Sequence, residues 1–114
     1  MKKILLVLLF LGLCLISKSQ EIPQEGLVVV EFNAPFSNSK CEYLEKLNDC
    51  EITRIDISKD SKIGPKHKVV VVPTLIIFQD GEEVARFQAN IMMQLEATKD
   101  EVQEKLDEII MEDF

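Results

Sequence analysis

The chain has 114 residues, 46% of them hydrophobic, and a formal net charge of −7 at pH 7. This length accommodates one domain rather than two. The excess of acidic residues argues against binding to nucleic acid or to anionic lipid, because both carry negative charge and repel an acidic protein. We interpret the charge as a source of solubility.

The N-terminal segment resembles an export signal rather than part of the domain. A basic start (MKK) precedes an apolar run at positions 4–16 and small residues at positions 17 and 19. This pattern is typical of a secretory signal peptide, whereas a membrane-spanning helix needs about 20 apolar residues. We predict a signal peptide at residues 1–19 and a periplasmic or secreted domain at residues 20–114. Loss of the three lysines in the signal takes the net charge from −7 to −10. If the segment were retained, it would tether the domain to a membrane.

The first half of the domain predicts a strand, a helix and a second strand. Residues 27–32 (LVVVEF) are almost continuously apolar, which is typical of a strand buried on both faces. Residues 40–48 space their apolar side chains by three, which predicts a helix. Residues 52–57 (ITRIDI) are interpreted as a strictly alternating, half-buried strand with isoleucine inward.

The second half predicts a short helix, a hairpin and a closing helix. The polar segment 58–68 contains a Gly-Pro pair, so any helix there is short. Strands are predicted at residues 74–78 and 83–88, joined by an Asp-Gly hairpin signal. A capping box at residues 98–101 starts the closing helix. This order of elements predicts an α/β fold with a four-stranded mixed sheet covered on both faces.

Two motifs within this order of elements resemble the thioredoxin family. Residues 29–36 (VVEFNAPF) are similar to the family's central strand and to the aromatic turn that carries its active site. Residues 72–78 (VPTLIIF), followed by DGE, are similar to the strand that opens at the family's cis proline, here Pro73. The resemblance covers residues 27–88 and a closing helix. It implies a minimal thioredoxin-like fold, because the mature chain has no room for the extra first strand and helix that members usually have.

The resemblance also places the family's Cys-x-x-Cys active site on residues that include no cysteine. The four aligned positions hold Ser37, Asn38, Ser39 and Lys40. A serine hydroxyl cannot exchange a disulfide, so the dithiol cycle is absent as the sequence stands. We therefore expect a binding module that docks a protein or peptide beside Pro73, although a plain turn without a ligand is the alternative. The binding surface that the resemblance implies consists of Phe36, Ser37, Asn38, Ser39, Lys40, Val72 and Pro73.

Cys41 leaves an enzymatic function open, that of a monothiol redox protein. A predicted helix start next to Lys40 would favour its thiolate, and the alternative is a small buried side chain on the apolar face of that helix. Cys14 belongs to the predicted signal, and Cys50 is expected to be structural. We expect no Cys41–Cys50 bridge, because nine residues of helix span about 13 Å and bridged Cα atoms lie within about 7 Å.

Five further residues carry expectations of their own. Glu31 aligns with the family's buried acid, which helps to move the proton of the resolving thiol, and Arg54 aligns with the basic partner of that acid. They are expected either as a buried charge pair or as two surface charges. His67 has no cysteine or aspartate at ligand spacing, so we expect no metal and no cofactor and interpret it as a surface loop residue. The adjacent Met92 and Met93 are interpreted as core residues rather than as a contact surface near Pro73.

Overall fold

The computed structural model describes residues 21–37 and 39–112. The predicted signal peptide lies outside these residues, as does Asn38 of the expected binding surface. Within the described ranges, no helix is both long enough and apolar enough to cross a membrane.

Four strands form one mixed sheet. They are β1 (Leu27–Asn33), β2 (Glu51–Asp56), β3 (Thr74–Gln79) and β4 (Glu82–Gln88), in the spatial order β2-β1-β3-β4. β1 pairs in parallel with β2 and antiparallel with β3, which in turn pairs antiparallel with β4. The predicted four-stranded mixed sheet is confirmed, and each strand end lies within one residue of its prediction.

Both faces of the sheet are covered. The helices α1 (Ile63–Lys66) and α2 (Lys99–Glu112) pack on opposite faces, and consecutive residues of β1 supply the two layers in turn because strand side chains alternate. The α2 layer contains Val29, Cys41, Leu44, Leu47, Leu75, Ile77, Val102, Leu106 and Ile109. The α1 layer contains Val28, Val30, Phe32, Ile55, Ile63, Ile76 and Phe78.

β2 differs from its predicted side-chain pattern. Ile52 packs in the α2 layer, whereas Ile55 packs in the α1 layer. They are three positions apart along the strand, so the pleat points them to opposite faces. The interpretation of β2 as strictly alternating, with its isoleucines on one inward face, is therefore wrong.

The helix predicted at residues 40–48 does not form, and the segment contains a single 3-10 turn at Leu44–Lys46. The guanidinium of Arg54 makes a contact that competes with this helix. Its Nη2 donates to the carbonyl oxygen of Cys41 at 3.0 Å, and in a helix this oxygen would accept from the amide four residues later. Leu47 then adopts extended angles, with φ −71° and ψ 144°, which ends the turn.

The two α-helices agree with their sequence signals. The amide of Glu101 donates to Oγ1 of Thr98 at 3.2 Å, which is the contact expected from Thr98 in the predicted capping box. α1 spans four residues, as the Gly-Pro pair within it predicted.

Candidate functional site

A buried ion pair lies at the centre of the candidate site. Glu31 is in the middle of β1 and is 2% exposed, and the parallel register of β1 and β2 places Arg54 directly beside it. Nη1 of Arg54 lies 2.6 Å from Oε1 of Glu31. Of the two arrangements that the sequence left open, the buried charge pair is the one found.

This ion pair holds the main chain of Cys41 on both sides. The second carboxylate oxygen of Glu31 accepts the amide N–H of Cys41, and Nη2 of Arg54 donates to the carbonyl oxygen of Cys41. The same Nη2 donates to Glu45 at 2.6 Å, and this hydrogen bond lowers the pKa of the Glu45 carboxyl. The carboxylate of Glu31 therefore binds a peptide group and a guanidinium.

The thiol of Cys41 is part of the core. Cys41 is 4% exposed and packs with Leu44 and Leu47. Burial raises the pKa of the Cys41 thiol, and the charge of Glu31 adds to that rise, while contact with Tyr43 and the charge of Arg54 oppose it. No helix starts at Cys41, so the expected helix-start stabilisation of its thiolate is wrong, and the alternative of a small buried side chain agrees with the structure.

Cys50 is half-buried at the edge of the same layer. Burial raises the pKa of its thiol, with a further contribution from Asp49. Cys41 and Cys50 are both free. The spacing argument against a bridge assumed a helix between them, and that assumption does not hold.

The loop that follows β1 bonds its polar groups internally. Oδ1 of Asn33 accepts the amide of Ala34 at 2.8 Å and the hydroxyl of Ser37 at 2.6 Å, and Nδ2 of Asn33 donates to the carbonyl of Ser39. The hydroxyl of Ser39 donates to the carbonyl of Met93 at 3.0 Å. The expected binding residues Ser37 and Ser39 thus shape the loop and connect it to the segment after β4.

The segment before β3 is held at both ends. Nη2 and Nη1 of Arg86 donate to the carbonyls of His67 and Lys68 at 2.8 and 3.1 Å. Oγ1 of Thr74 donates to the carbonyl of Val71 at 2.6 Å. These contacts fix the path of the chain into the Val72-Pro73 peptide bond, which is cis.

Between these contacts, peptide groups are left unpaired. No described residue hydrogen-bonds the main chain of Val70 or Val72. Val70 is 80% exposed, but Val72 is only 4% exposed, and buried peptide groups are normally paired. The unpaired peptide groups of exposed Val70 are therefore available to a neighbouring chain, whereas those of buried Val72 are not at the surface.

An apolar groove of about 190 Å³ runs beside this segment. Its most exposed apolar members are Ile91, at 95%, Val70 and Phe36. The interpretation of Met92 and Met93 as core residues is wrong, because both are exposed and Met93 lines the groove. The groove is lined by Phe36, Ile57, Val69, Val70, Val71, Val72, Asn90, Ile91 and Met93.

Sequence reasoning missed Val70 and Ile91 as candidate surface residues. Val70 belongs to an apolar run that leads into Pro73, and the pattern alone does not distinguish such a run from a buried strand. Ile91 lies in a stretch without helical or strand periodicity, and that lack of period was the available sign that its side chain has no core face to join.

A second depression, which we call the basic crevice, lies at the carboxyl ends of β1 and β2 and measures about 530 Å³. The ion pair of Glu31 and Arg54 is part of its wall, and Lys40 and Lys59 carry its remaining positive charge. The crevice is lined by Glu31, Asn33, Ala34, Pro35, Ser37, Ser39, Lys40, Arg54, Ile55, Asp56 and Lys59.

His67 is not the free surface residue that we expected. Its ring lies between those of Phe32 and Phe78, at centroid distances of 5.4 and 5.5 Å. Burial lowers the pKa of His67, and the charge of Lys66 adds to this effect. Among the residues described, no group of three or more His, Cys, Asp or Glu side chains could hold a metal ion.

Comparisons with known proteins show which family the chain is similar to. The thioredoxin family model matches residues 17–106. A thioredoxin of Chlamydia pneumoniae is 38% identical over 69 residues, which cover 54% of this chain and 67% of that protein. Chloroplastic thioredoxin Y1 of Arabidopsis thaliana is 34% identical over 58 residues, which cover 51% of this chain but 33% of that longer protein.

Solved structures agree on the fold. A variant thioredoxin of Halobacterium salinarum NRC-1 superimposes with a TM-score of 0.58 at 23% identity, covering 74% of each chain. A designed protein superimposes with a TM-score of 0.61 at 22% identity, covering 76% of this chain and 84% of that one. Since the family model spans most of the sequence and the sheet is the predicted four-stranded mixed one, this chain belongs to the thioredoxin family.

Proposed function

We propose that this protein is an exported thioredoxin-family module that binds an extended polypeptide segment and performs no dithiol redox chemistry. Its three cysteines, at positions 14, 41 and 50, include no pair with two residues between them. Cys41 is buried and the pKa of its thiol is raised. Both features reduce the thiolate that a redox mechanism requires, so they support a binding role.

The observation that carries the binding role is the unpaired main chain of Val70, an exposed residue beside the apolar groove. A polypeptide segment lying alongside would supply the missing hydrogen bonds while covering the exposed apolar side chains. Each hydrogen bond contributes roughly 0.5–1.5 kcal/mol, and burial of one leucine-sized side chain contributes roughly 1.5–3 kcal/mol. Because association itself costs several kcal/mol, we expect a weak and reversible complex.

The proposed location is the periplasm or the exterior of the cell. The basic start, the apolar run at positions 4–16 and the small residues after it support export. N-terminal sequencing of the protein purified from its own host tests this point. We expect the mature chain to begin at Gln20, and an intact Met1 on the purified protein would contradict cleavage.

A disulfide-reduction assay tests the redox half of the proposal. The protein and its Cys41→Ala variant are compared for reduction of insulin by dithiothreitol, with a thioredoxin that has the Cys-x-x-Cys motif as the positive control. We expect neither protein to accelerate the reaction. Turnover that disappears in Cys41→Ala would make Cys41 a catalytic thiol and would overturn the proposal in favour of the monothiol enzyme.

Peptide binding tests the other half. The probe is a fluorescein-labelled peptide with the apolar core Val-Leu-Phe-Val between Ser-Gly flanks, followed by fluorescence anisotropy. We expect Val70→Asp to weaken binding about tenfold, which corresponds to 1.4 kcal/mol, because a charge replaces an exposed groove side chain. Val84→Asp is the matched control, since Val84 is exposed on β4 outside the groove. Equal weakening by both variants, or no binding at all, would contradict docking at the groove.

A further inference from the structure

We propose that the docked segment is acidic next to its apolar anchor. A large apolar side chain enters the apolar groove, and a carboxylate a few residues along the same segment binds Lys40 and Lys59 in the basic crevice. This inference rests on the proposed function and specifies the chemistry of the partner.

The apolar groove and the basic crevice are neighbours on one surface. The loop after β1 contributes Phe36 to the groove and both Ser37 and Ser39 to the crevice. The hydroxyl of Ser39 bonds the carbonyl of Met93 at 3.0 Å, and Met93 lines the groove. A single extended segment that crosses this loop can therefore contact both the groove and the crevice.

The crevice has positive charge to offer. Arg54 is neutralised by Glu31 and Glu45, at 2.6 Å from each. Lys40 and Lys59 are exposed and form no ion pair within 4 Å with any described residue. Two unpaired ammonium groups at one depression favour a carboxylate there.

The acids that face these two lysines are already engaged. Lys40 acts at longer range on Glu45, whose carboxylate binds Arg54, and this contact with Arg54 is the main cause of its lowered pKa. Lys59 acts on Asp56, whose carboxylate accepts the amide and the hydroxyl of Ser58. Neither acid neutralises its lysine at contact distance.

The rest of the domain restricts where the partner can be acidic. With a net charge of −10 after removal of the predicted signal, the surface as a whole repels an acidic partner at low ionic strength. A strongly acidic protein is therefore disfavoured. The charge pattern selects a segment whose carboxylates are confined to the stretch that meets Lys40 and Lys59, and such local complementarity determines specificity more than it determines overall affinity.

Three labelled peptides test the inference on protein made from the full-length gene. They share the core Val-Leu-Phe-Val and differ in the following pair, which is Glu-Glu, Ser-Ser or Lys-Lys. At low salt we expect the Glu-Glu peptide to bind about tenfold more tightly than the Lys-Lys peptide, because its carboxylates attract Lys40 and Lys59 whereas ammonium groups are repelled by them. At 1 M salt, where the Debye length falls to about 3 Å, the difference should fall below about twofold.

Charge reversal identifies the lysines responsible. We expect the Lys40→Glu/Lys59→Glu double variant to prefer the Lys-Lys peptide, and Lys62→Glu, an exposed lysine outside the crevice, to keep the original preference. Equal affinities for the three peptides, or an unchanged preference in the double variant, would overturn this inference and leave the proposed function in place. If no peptide binds, the proposed function fails, and the inference fails with it.

Discussion

Two segments meet at the candidate site, and they treat their main-chain polar groups in opposite ways. In the loop at residues 33–41, the side chains of Asn33, Glu31 and Arg54 bind the peptide groups of the loop, those of Cys41 among them. At residues 70–72, one carbonyl is bonded, that of Val71, and no described residue pairs with the main chain on either side of it.

The family resemblance places chemical reactivity and binding of another chain in one active site, whereas here the two segments differ in which of these properties they suit. The described part of the loop at residues 33–41 has its main chain bonded by Asn33, Glu31 and Arg54, and it buries Cys41, so it is suited to holding a shape rather than to reacting. The segment at residues 70–72 leaves the main chain of exposed Val70 unpaired beside an apolar groove, which suits it to meeting another chain. The predictions below alter one segment at a time, beginning with the loop.

Arg54→Met should give the largest effect. The substitution leaves the carboxylate of Glu31 buried without its cation and releases the carbonyl of Cys41. Breaking a buried ion pair from one side costs 3–5 kcal/mol, and because Arg54 is partly exposed we expect a loss of about 3 kcal/mol in the free energy of unfolding. Urea denaturation followed by circular dichroism measures it.

The control for Arg54→Met is Lys105→Met, which breaks an exposed pair at 3.4 Å. That variant should lose at most about 1 kcal/mol. Adding Glu31→Gln to Arg54→Met should recover part of the loss, because no charge is then left buried. A loss in Arg54→Met no larger than in Lys105→Met would mean that the loop does not depend on the ion pair.

The reactivity of Cys41 tests whether the loop is closed to chemistry. Iodoacetamide needs an accessible thiolate, and Cys41 is more deeply buried than Cys50 while the pKa of both thiols is raised. Peptide mass spectrometry of partially alkylated native protein should show Cys41 reacting about tenfold more slowly than Cys50. In 8 M urea the two rates should converge, and Arg54→Met should accelerate Cys41. Faster reaction at Cys41 than at Cys50 in the native protein would support the monothiol enzyme instead.

Thr74→Val alters the second segment with little change in shape. Thr74 is fully buried and its hydroxyl donates to the carbonyl of Val71 at 2.6 Å. Removing one such hydrogen bond costs about 1 kcal/mol, and we expect that loss of stability together with weaker binding of the Val-Leu-Phe-Val peptide. Thr53→Val in β2 provides the comparison, since it makes the same exchange away from the groove. If Thr74→Val binds the peptide as well as the wild type does, the path of residues 70–72 is set by other contacts.

The local sequence pattern was enough to predict the strands of the sheet, but not the conformation of the loop after β1. The apolar runs of β1 and β3 dictate strands wherever they pack, so their bounds were predicted to within one residue. The contact that competes with the predicted helix after β1 comes from Arg54, which is 13 residues away from Cys41 along the chain and binds its carbonyl. A prediction from the spacing of apolar residues within one segment cannot include a partner so far along the chain. Met92 and Met93 were misplaced for a related reason, since an aperiodic apolar stretch carries no signal of which way it faces.

His67 provides the smallest and most specific test, because its environment also came from distant parts of the chain. Its ring lies between Phe32 and Phe78, and burial, with a contribution from Lys66, lowers its pKa in the folded state. The folded protein therefore binds fewer protons than the unfolded chain just below the ordinary histidine pKa of about 6.5. Stability contributed by neutral His67 is fully present above that pH and is lost as the pH falls from about 6.5 towards the lower folded-state pKa.

His67→Gln isolates this contribution from that of the carboxylates, which also titrate as the pH falls. We expect the wild type to lose more unfolding free energy than His67→Gln between pH 7.5 and pH 5, by less than the loss expected of Arg54→Met. Urea denaturation at a series of pH values gives both curves, and their difference cancels the carboxylates common to the two proteins. Parallel curves would mean that the pKa of His67 is the same in the folded and unfolded states. That result is expected of a ring in water and would contradict its packing against the aromatic rings of the α1 layer. A steeper fall of the unfolding free energy in the wild type would mean that His67, at the start of the segment leading to residues 70–72, stabilises the fold more when its ring is neutral than when it is charged.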